Sequence, residues 1–113
     1  MNRTEVVEVD WPFTDLTGTK PRPAVVVQAD YLNGLIDDTL LVQITSKAHG
    51  IPGTEVRLDP TAEPAAGLLH VSYVFCPNLL TSDPDIIDQS IGVLSGAAMS
   101  LIDACLKAAL GLR

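Results

Sequence analysis

The sequence predicts a mainly β domain, an antiparallel barrel or strongly curved sheet covered by one C-terminal helix. Three observations carry this. Short runs rich in Val, Ile and Leu recur along most of the chain, with Gly, Pro, Asn and Asp clusters between them. Helical spacing of apolar residues is clear only near the end, at Ala98, Leu101, Ile102, Cys105, Ala109 and Leu110. No repeat, low-complexity tract or linker interrupts the 113 residues, which suit a single domain spanning 1–113.

The elements follow in order. Thr4 to Asp10 (TEVVEVD) is β-branched and predicts a first strand. Trp11 to Pro21 holds two prolines and a glycine among Thr and Asp, so it reads as a loop or long hairpin connection. Ala24 to Gln28 is a continuous apolar run, as in a strand buried on both faces. Asn33-Gly34 marks a turn within Asp30–Asp38, and Thr39 to Thr45 predicts the third strand. Lys47 to Gly53 is a loop. Thr54 to Leu58 alternates and predicts an exposed strand. Asp59 to Gly67 is a polar loop, and Leu68 to Phe75 the next strand, with Pro77 ending it or placing it at an edge. Thr81 to Asp85 is a turn able to cap a short helical piece, and Ile91 to Leu94 fits a last short strand. Ser95 suits the N-cap of the closing helix, and Gly111 suits its stop.

Composition narrows the function. Hydrophobic residues are 47% of the chain, enough for a packed core, and aromatics only 4%, so Val, Leu, Ile and Ala must build it. No apolar run reaches bilayer length, and the N-terminal residues lack the apolar stretch of a signal peptide, so a cytoplasmic location is expected. Cys76 and Cys105 lack CxxC spacing and are expected to be reduced core residues. The net charge of −7 opposes nonspecific binding of nucleic acid, which needs Lys and Arg against phosphate. Three of the seven basic residues, Lys20, Arg22 and Lys47, nevertheless fall in segments that a single site would use.

Those segments carry a resemblance. Pro12 to Asp30, PFTDLTGTKPRPAVVVQAD, resembles the start of the MazF/PemK toxins, in which a Pro/Gly loop leads to an Arg-Pro that opens the second strand. Gln43-Ile44-Thr45-Ser46 and Ile91-Gly92-Val93-Leu94-Ser95 match later family segments, and the helix ends in Ala109-Leu110-Gly111-Leu112, a frequent family ending. The first match is specific; the others gain weight by their order and spacing. The resemblance implies an SH3-like barrel with a C-terminal helix (MazF/PemK/CcdB-like). It also implies metal-independent endoribonuclease cleavage of single-stranded RNA, a homodimer, and a cognate antitoxin that blocks the RNA groove. No cofactor or metal site is implied.

The resemblance places the catalytic arginine at Arg22 and the catalytic threonine at Thr45. The chemistry suits them. RNA supplies its own nucleophile, the 2′-hydroxyl, and leaves a 2′,3′-cyclic phosphate and a 5′-hydroxyl. A guanidinium offers planar paired donors to the phosphoryl oxygens, and a threonine hydroxyl can donate to one of them. Without the resemblance, Arg22 reads as a loop charge and Thr45 as a strand-end residue. Lys20, Gln28, Ser46 and Lys47 are candidate RNA-binding residues, each with a plain alternative: Gln28 as a strand residue at the barrel mouth, Lys47 as a solvated loop charge. His49 reads as an exposed loop residue, and His70 as structural or solvent-facing. Asp37-Asp38 and Asp83, Asp85 and Asp88 are better explained by turns and caps than by a metal.

The sequence departs from the pattern in one region. Leu80 stands where many relatives carry an arginine, and Phe75 and Pro77 stand where one branch uses an Arg and an Asp for proton transfer. Two rival readings therefore stay in view. One is a gyrase-type or other protein-binding toxin, disfavoured because the end, Ala-Leu-Gly-Leu-Arg, lacks aromatic residues. The other is an attenuated barrel that serves as a partner-binding module.

Overall fold

The computed structural model describes residues 1–113, and the elements run β1 (Glu5–Pro12), β2 (Thr19–Val26), α1 (Asp30–Asn33), β3 (Thr39–Thr45), β4 (Glu55–Leu58), β5 (Ser72–Ser82), β6 (Ile87–Val93) and α2 (Gly96–Leu110). All strand pairs are antiparallel, in the order β4-β5-β3-β2-β1-β6. The extents, 33 × 31 × 31 Å, are nearly equal, so the sheet is curled rather than open. Register breaks between β1 and β6 and between β3 and β5 supply the curl, because a bulge bends its strand and tightens the local twist.

The period-2 pattern buries the sheet on both faces. Val6, Val25, Val42 and Ile44 join Val56, Leu58 and Val74 in a cluster of 13 buried residues that also holds Ala98, Met99 and Ile102 of α2. The alternate positions Val7, Val9, Ala24, Val26 and Leu41 form a second cluster on the opposite side, with Trp11 and Ile87 packed against it. The expectation of a doubly buried run at Ala24–Gln28 holds for Ala24, Val25 and Val26, each wholly buried.

Helix α2 starts where its cap chemistry dictates. Ser95 Oγ accepts the Ala98 amide at 3.1 Å and donates to Glu63 Oε2 at 2.8 Å. It ends at Gly111, whose φ of 70° favours glycine. At the other end of the chain, Arg3 donates to the Val27 carbonyl at 3.1 Å and pairs with Asp103 of α2. The thiols of Cys76 and Cys105 are free; Cys76 is buried and Cys105 is half-buried. Burial, reinforced by the neighbouring Cys105, pushes the Cys76 thiol up to about 12.

Several boundaries move. The loop expected over Trp11–Pro21 shrinks to Phe13–Gly18, because β1 and β2 pair as far as Pro12 and Thr19. The turn at Asp30–Asp38 contains the single helical turn of α1. The strand expected at Leu68–Phe75 begins at Ser72 and runs to Ser82. Pro77 neither ends it nor marks an edge. Gln43 pairs with Phe75 and Val42 with Leu79, so Cys76, Pro77 and Asn78 bulge out of the ladder, where a missing N–H does no harm. Asp83 caps the 3-10 turn Pro84–Ile86 by accepting the Asp85 amide at 2.8 Å. The last strand is longer than expected, Ile87–Val93.

One contact between distant segments fixes a wall of the site. A Cβ added at Gly67 would lie 2.1 Å from the Ile91 carbonyl oxygen, and one added at Gly92 would lie 2.3 Å from that of Ala65. Only glycine lets the backbone of the Ala65–Gly67 segment dock on β6 this closely, and Gly67 also needs its φ of +73°.

Candidate active site

The site opens where two prolines stop a β-ladder. Val27 donates its amide to the Leu40 carbonyl at 3.0 Å, so the amides of odd-numbered residues in β2 face β3. Pro21 and Pro23 share that parity and have no amide to give. The β2–β3 pairing accordingly ends at Ala24 opposite Gln43. Carried two residues further, the same register sets Arg22 opposite Thr45, on strands that have stopped bonding. Residues 23 apart in the chain thus meet across a gap made by the prolines that flank the arginine.

The gap is a cleft of about 280 Å³, lined by Arg22, Thr45, Ser46, Glu8, Ser72 and His70 among others. Thr45 Oγ1 accepts the Lys47 amide at 3.3 Å, which leaves its own O–H free to donate. Arg22 is half-buried and belongs to none of the ion pairs. Ser72 Oγ donates to the His70 carbonyl at 3.0 Å and so fixes the backbone that carries the imidazole.

Arg22 also lines a second cleft of about 240 Å³, together with Trp11, Phe13, Lys20, Gln43 and Asn78. Asn78 Nδ2 donates to Gln43 Oε1 at 2.6 Å, which links the β5 bulge to the floor of β3. Lys20 sits on β2 opposite Trp11 of β1. Arg3 and Arg57 are paired with Asp103 and Asp59, whereas Lys20 and Arg22 have no carboxylate partner.

The other expected site residues fare differently. Gln28 is corrected. It is 6% exposed, lies beyond the end of β2, and donates to Asn33 Oδ1 at 2.9 Å and to the Asp38 carbonyl at 3.0 Å. It ties α1 to the approach of β3 and cannot present its amide to a ligand. Lys47 is exposed and lines neither cleft; its backbone, not its ammonium, touches Thr45. His49 stacks on Phe75, with ring centroids 3.8 Å apart, and its loop is held by Glu55, which accepts the His49 and Gly50 amides at 2.8 and 3.1 Å. Phe75 is therefore a buried packing residue at the position where one branch of the resembled family carries an arginine. Leu80 faces an apolar groove with Trp11, Phe13 and Leu79. No three His, Cys, Asp or Glu side chains converge on a point that would hold a metal.

Glu8 and His70 also line the first cleft, Glu8 on the sheet face opposite the Arg22 side chain and His70 solvent-exposed as expected. Glu8 reads as a polar residue alternating with valines, and His70 as a residue of an expected strand. No local signal marks either one.

A curled six-stranded antiparallel sheet, covered by one helix and opened beside a half-buried arginine, defines a small helix-capped β-barrel. The family model for PemK-like, MazF-like toxins of type II toxin–antitoxin systems matches residues 2–110, and the chain belongs to that family. Among solved structures, a mycobacterial endoribonuclease in complex with its cognate antitoxin is 25% identical, with a TM-score of 0.82 over 100% of this chain and 97% of that one. A second structure, an endoribonuclease from a mycobacterial species, is 25% identical, with a TM-score of 0.80 over 100% and 93% of the two chains. A MazE–MazF structure from Deinococcus radiodurans shares the fold at 20% identity, with a TM-score of 0.77 over 100% and 98%. Sequence comparison with curated proteins finds no match. No helix is long and apolar enough to cross a membrane.

Proposed function

We propose that this toxin is an endoribonuclease that cuts single-stranded RNA in the Arg22 cleft and is silenced by a cognate antitoxin. The observation that carries the reading is the Arg22–Thr45 juxtaposition at the broken β2–β3 ladder, in a chain of this family. The matched mycobacterial structures, one with its antitoxin, support it. The 2′-hydroxyl attacks the adjacent phosphorus in line. Arg22 donates paired N–H groups to the non-bridging oxygens as their charge grows, and Thr45 donates its hydroxyl to the same phosphoryl group. Ser46 lines the same wall. Lys20, in the adjoining cleft, draws the neighbouring phosphate. The enzyme works as a homodimer in the cytoplasm, where both RNA and antitoxin are made.

The test is digestion of a long single-stranded RNA with EDTA present, wild type beside Arg22→Ala, followed by mapping of the new ends. Discrete cuts with 5′-hydroxyl ends that vanish in the variant are expected. Folded wild-type protein that cuts no RNA over a range of salt and sequence would overturn the reading in favour of a protein-binding toxin.

A further inference from the structure

Paired residues of an antiparallel ladder point to the same face of the sheet, and so do residues two apart on one strand. Trp11 pairs with Lys20 and Val9 with Arg22, so the indole and both cations share a face. Ala24, two residues from Arg22, pairs with Gln43, which adds the Gln43 amide and, two residues on, Thr45. The buried floor of that face is the cluster of Val7, Val9, Ala24, Val26 and Leu41, and Trp11 packs against it. Gln43 therefore stands next to the Arg22–Thr45 pair, and it lines the second cleft with Arg22 itself.

Two features of this cleft have no part in the phosphoryl chemistry. The first is an amide pair. Asn78 leaves the β3–β5 ladder in the bulge, and its Nδ2 donates to Gln43 Oε1 at 2.6 Å. Neither side chain makes another hydrogen bond within the protein, so one donor (Gln43 Nε2) and one acceptor (Asn78 Oδ1) stay free. Turning both amides over exchanges the roles and still leaves one donor beside one acceptor. The second feature is an aromatic pair. Phe13 follows Trp11 on the same side, 46% exposed, and neither ring stacks on another. The Phe13 amide donates to the Gly18 carbonyl at 2.9 Å, and a Cβ added at Gly18 would lie 3.5 Å from its ring. The ladder thus carries an exposed aromatic face to the mouth of the cleft.

We infer that this cleft reads one base of the RNA and that the base is adenine, an inference that rests on the activity proposed above. The base lies against Trp11 and Phe13, which accept any base. The Gln43–Asn78 pair supplies the choice. Adenine offers one donor beside one acceptor, N6–H with N1 or N7, and amide side chains pair with it at two points. Guanine, cytosine and uracil each carry a third polar group on the pairing edge. Against the two aromatic rings that group would lose its water and gain no partner. Arg22 holds the scissile phosphate and Lys20 the neighbouring one, so the base that is read belongs to a nucleotide adjoining the cut.

The chain has a single tryptophan, and it lies in this cleft. The experiment uses short single-stranded RNAs spanning the mapped cut, with each of the four bases in turn at the two adjoining positions. One set is cleaved. A second carries a 2′-deoxy sugar at the cut, which removes the nucleophile, and is titrated against Trp11 fluorescence. At one adjoining position adenine is expected to be favoured by about 10–100-fold in both kcat/KM and affinity, with Trp11 quenched on binding. Gln43→Met keeps the length of the side chain without its polar atoms and should bring the four bases within a few-fold of one another. Asn78→Asp still accepts from Gln43 but leaves two free acceptors, so the preference should move to guanine, whose N1–H and N2–H are adjacent donors. A bridge that only held the bulge would change the thermal melt and not the choice of base. Equal use of all four bases by the wild type, a preference for a base other than adenine, or folded variants that keep the wild-type preference would overturn the inference and leave the ribonuclease in place. Wild-type protein that cuts no RNA would overturn the ribonuclease itself.

Discussion

The two clefts that share Arg22 differ in kind. The first holds Thr45, Ser46, Glu8 and His70, and its far wall is backbone locked by two glycines. The second holds Trp11, Phe13, Lys20 and the Gln43–Asn78 pair, with an apolar groove continuing towards Leu80. One gathers polar side chains around the point where the β2–β3 ladder stops. The other collects flat faces, one ammonium and paired amides, the equipment for holding a base and a phosphate. Arg22 lines both, and in the proposed enzyme that would let a chain with net charge −7 engage RNA with few cations.

Variants can break this division. The largest effect is expected for Arg22→Ala, which empties both sides and should lower kcat/KM by at least about 10²–10³-fold. Arg22→Lys keeps the charge but loses the planar fork and should recover binding more than turnover, visible as KM returning while kcat stays low. Lys20→Ala touches the second cleft only. It should leave kcat unchanged, raise KM, and make the plot of log affinity against log salt shallower by about 0.7. A fall in kcat instead would erase the distinction between the clefts.

Residues outside both clefts provide the complement. Gln28→Ala should cost about 1–3 kcal/mol of stability, by removing the side-chain donor of the Asp38 carbonyl and leaving Asn33 Oδ1 with the Thr39 hydroxyl alone. It should not alter RNA affinity at a temperature where the variant is folded, and urea unfolding beside a binding titration separates the two. The smallest effect belongs to Asp59. Hydrogen bonds from the Thr61 amide and hydroxyl, then the Arg57 charge, hold its carboxyl below the ordinary 3.8. A group with a depressed folded value contributes its stability above the unfolded value and loses it as pH falls through the folded one. Asp59→Asn should therefore lower Tm at pH 7 and lose that effect towards pH 2, and the effect should be slight because solvent screens the partly exposed carboxylate.

How much of this could be read from the chain depends on whether the cause was local. Ser95 and Gly111 bound α2 as expected, because a cap is made by one residue and its near neighbours. Thr39–Thr45 was legible end to end, since its apolar run and flanking turns coincide. β5 was misread at both ends. Pro77 lies inside it, and a bulge that tolerates proline is a property of the pairing with β3, not of the strand. The site divided along the same line. Arg22 and Thr45 were marked by the resemblance, and Lys20 and Ser46 by adjacency. Gln28 was misjudged because its polarity pointed outward while α1, unseen in the sequence, gave it internal partners. The docking of Gly67 on β6 is likewise a contact between distant segments that leaves no trace within a few residues of either.

Cys76 has a use of a different kind. Its sulfur lies wholly buried beneath α2, 4.0 Å from the Ile102 carbonyl oxygen, and burial keeps it a thiol. Alkylating reagents attack the thiolate, so the folded protein should label there only when the helix lifts from the sheet. Cys105, half-buried on α2 itself, should react sooner and serve as the internal reference. The chain thus carries its own clock for helix opening, and labelling it with and without an antitoxin would time how firmly that partner clamps the barrel shut.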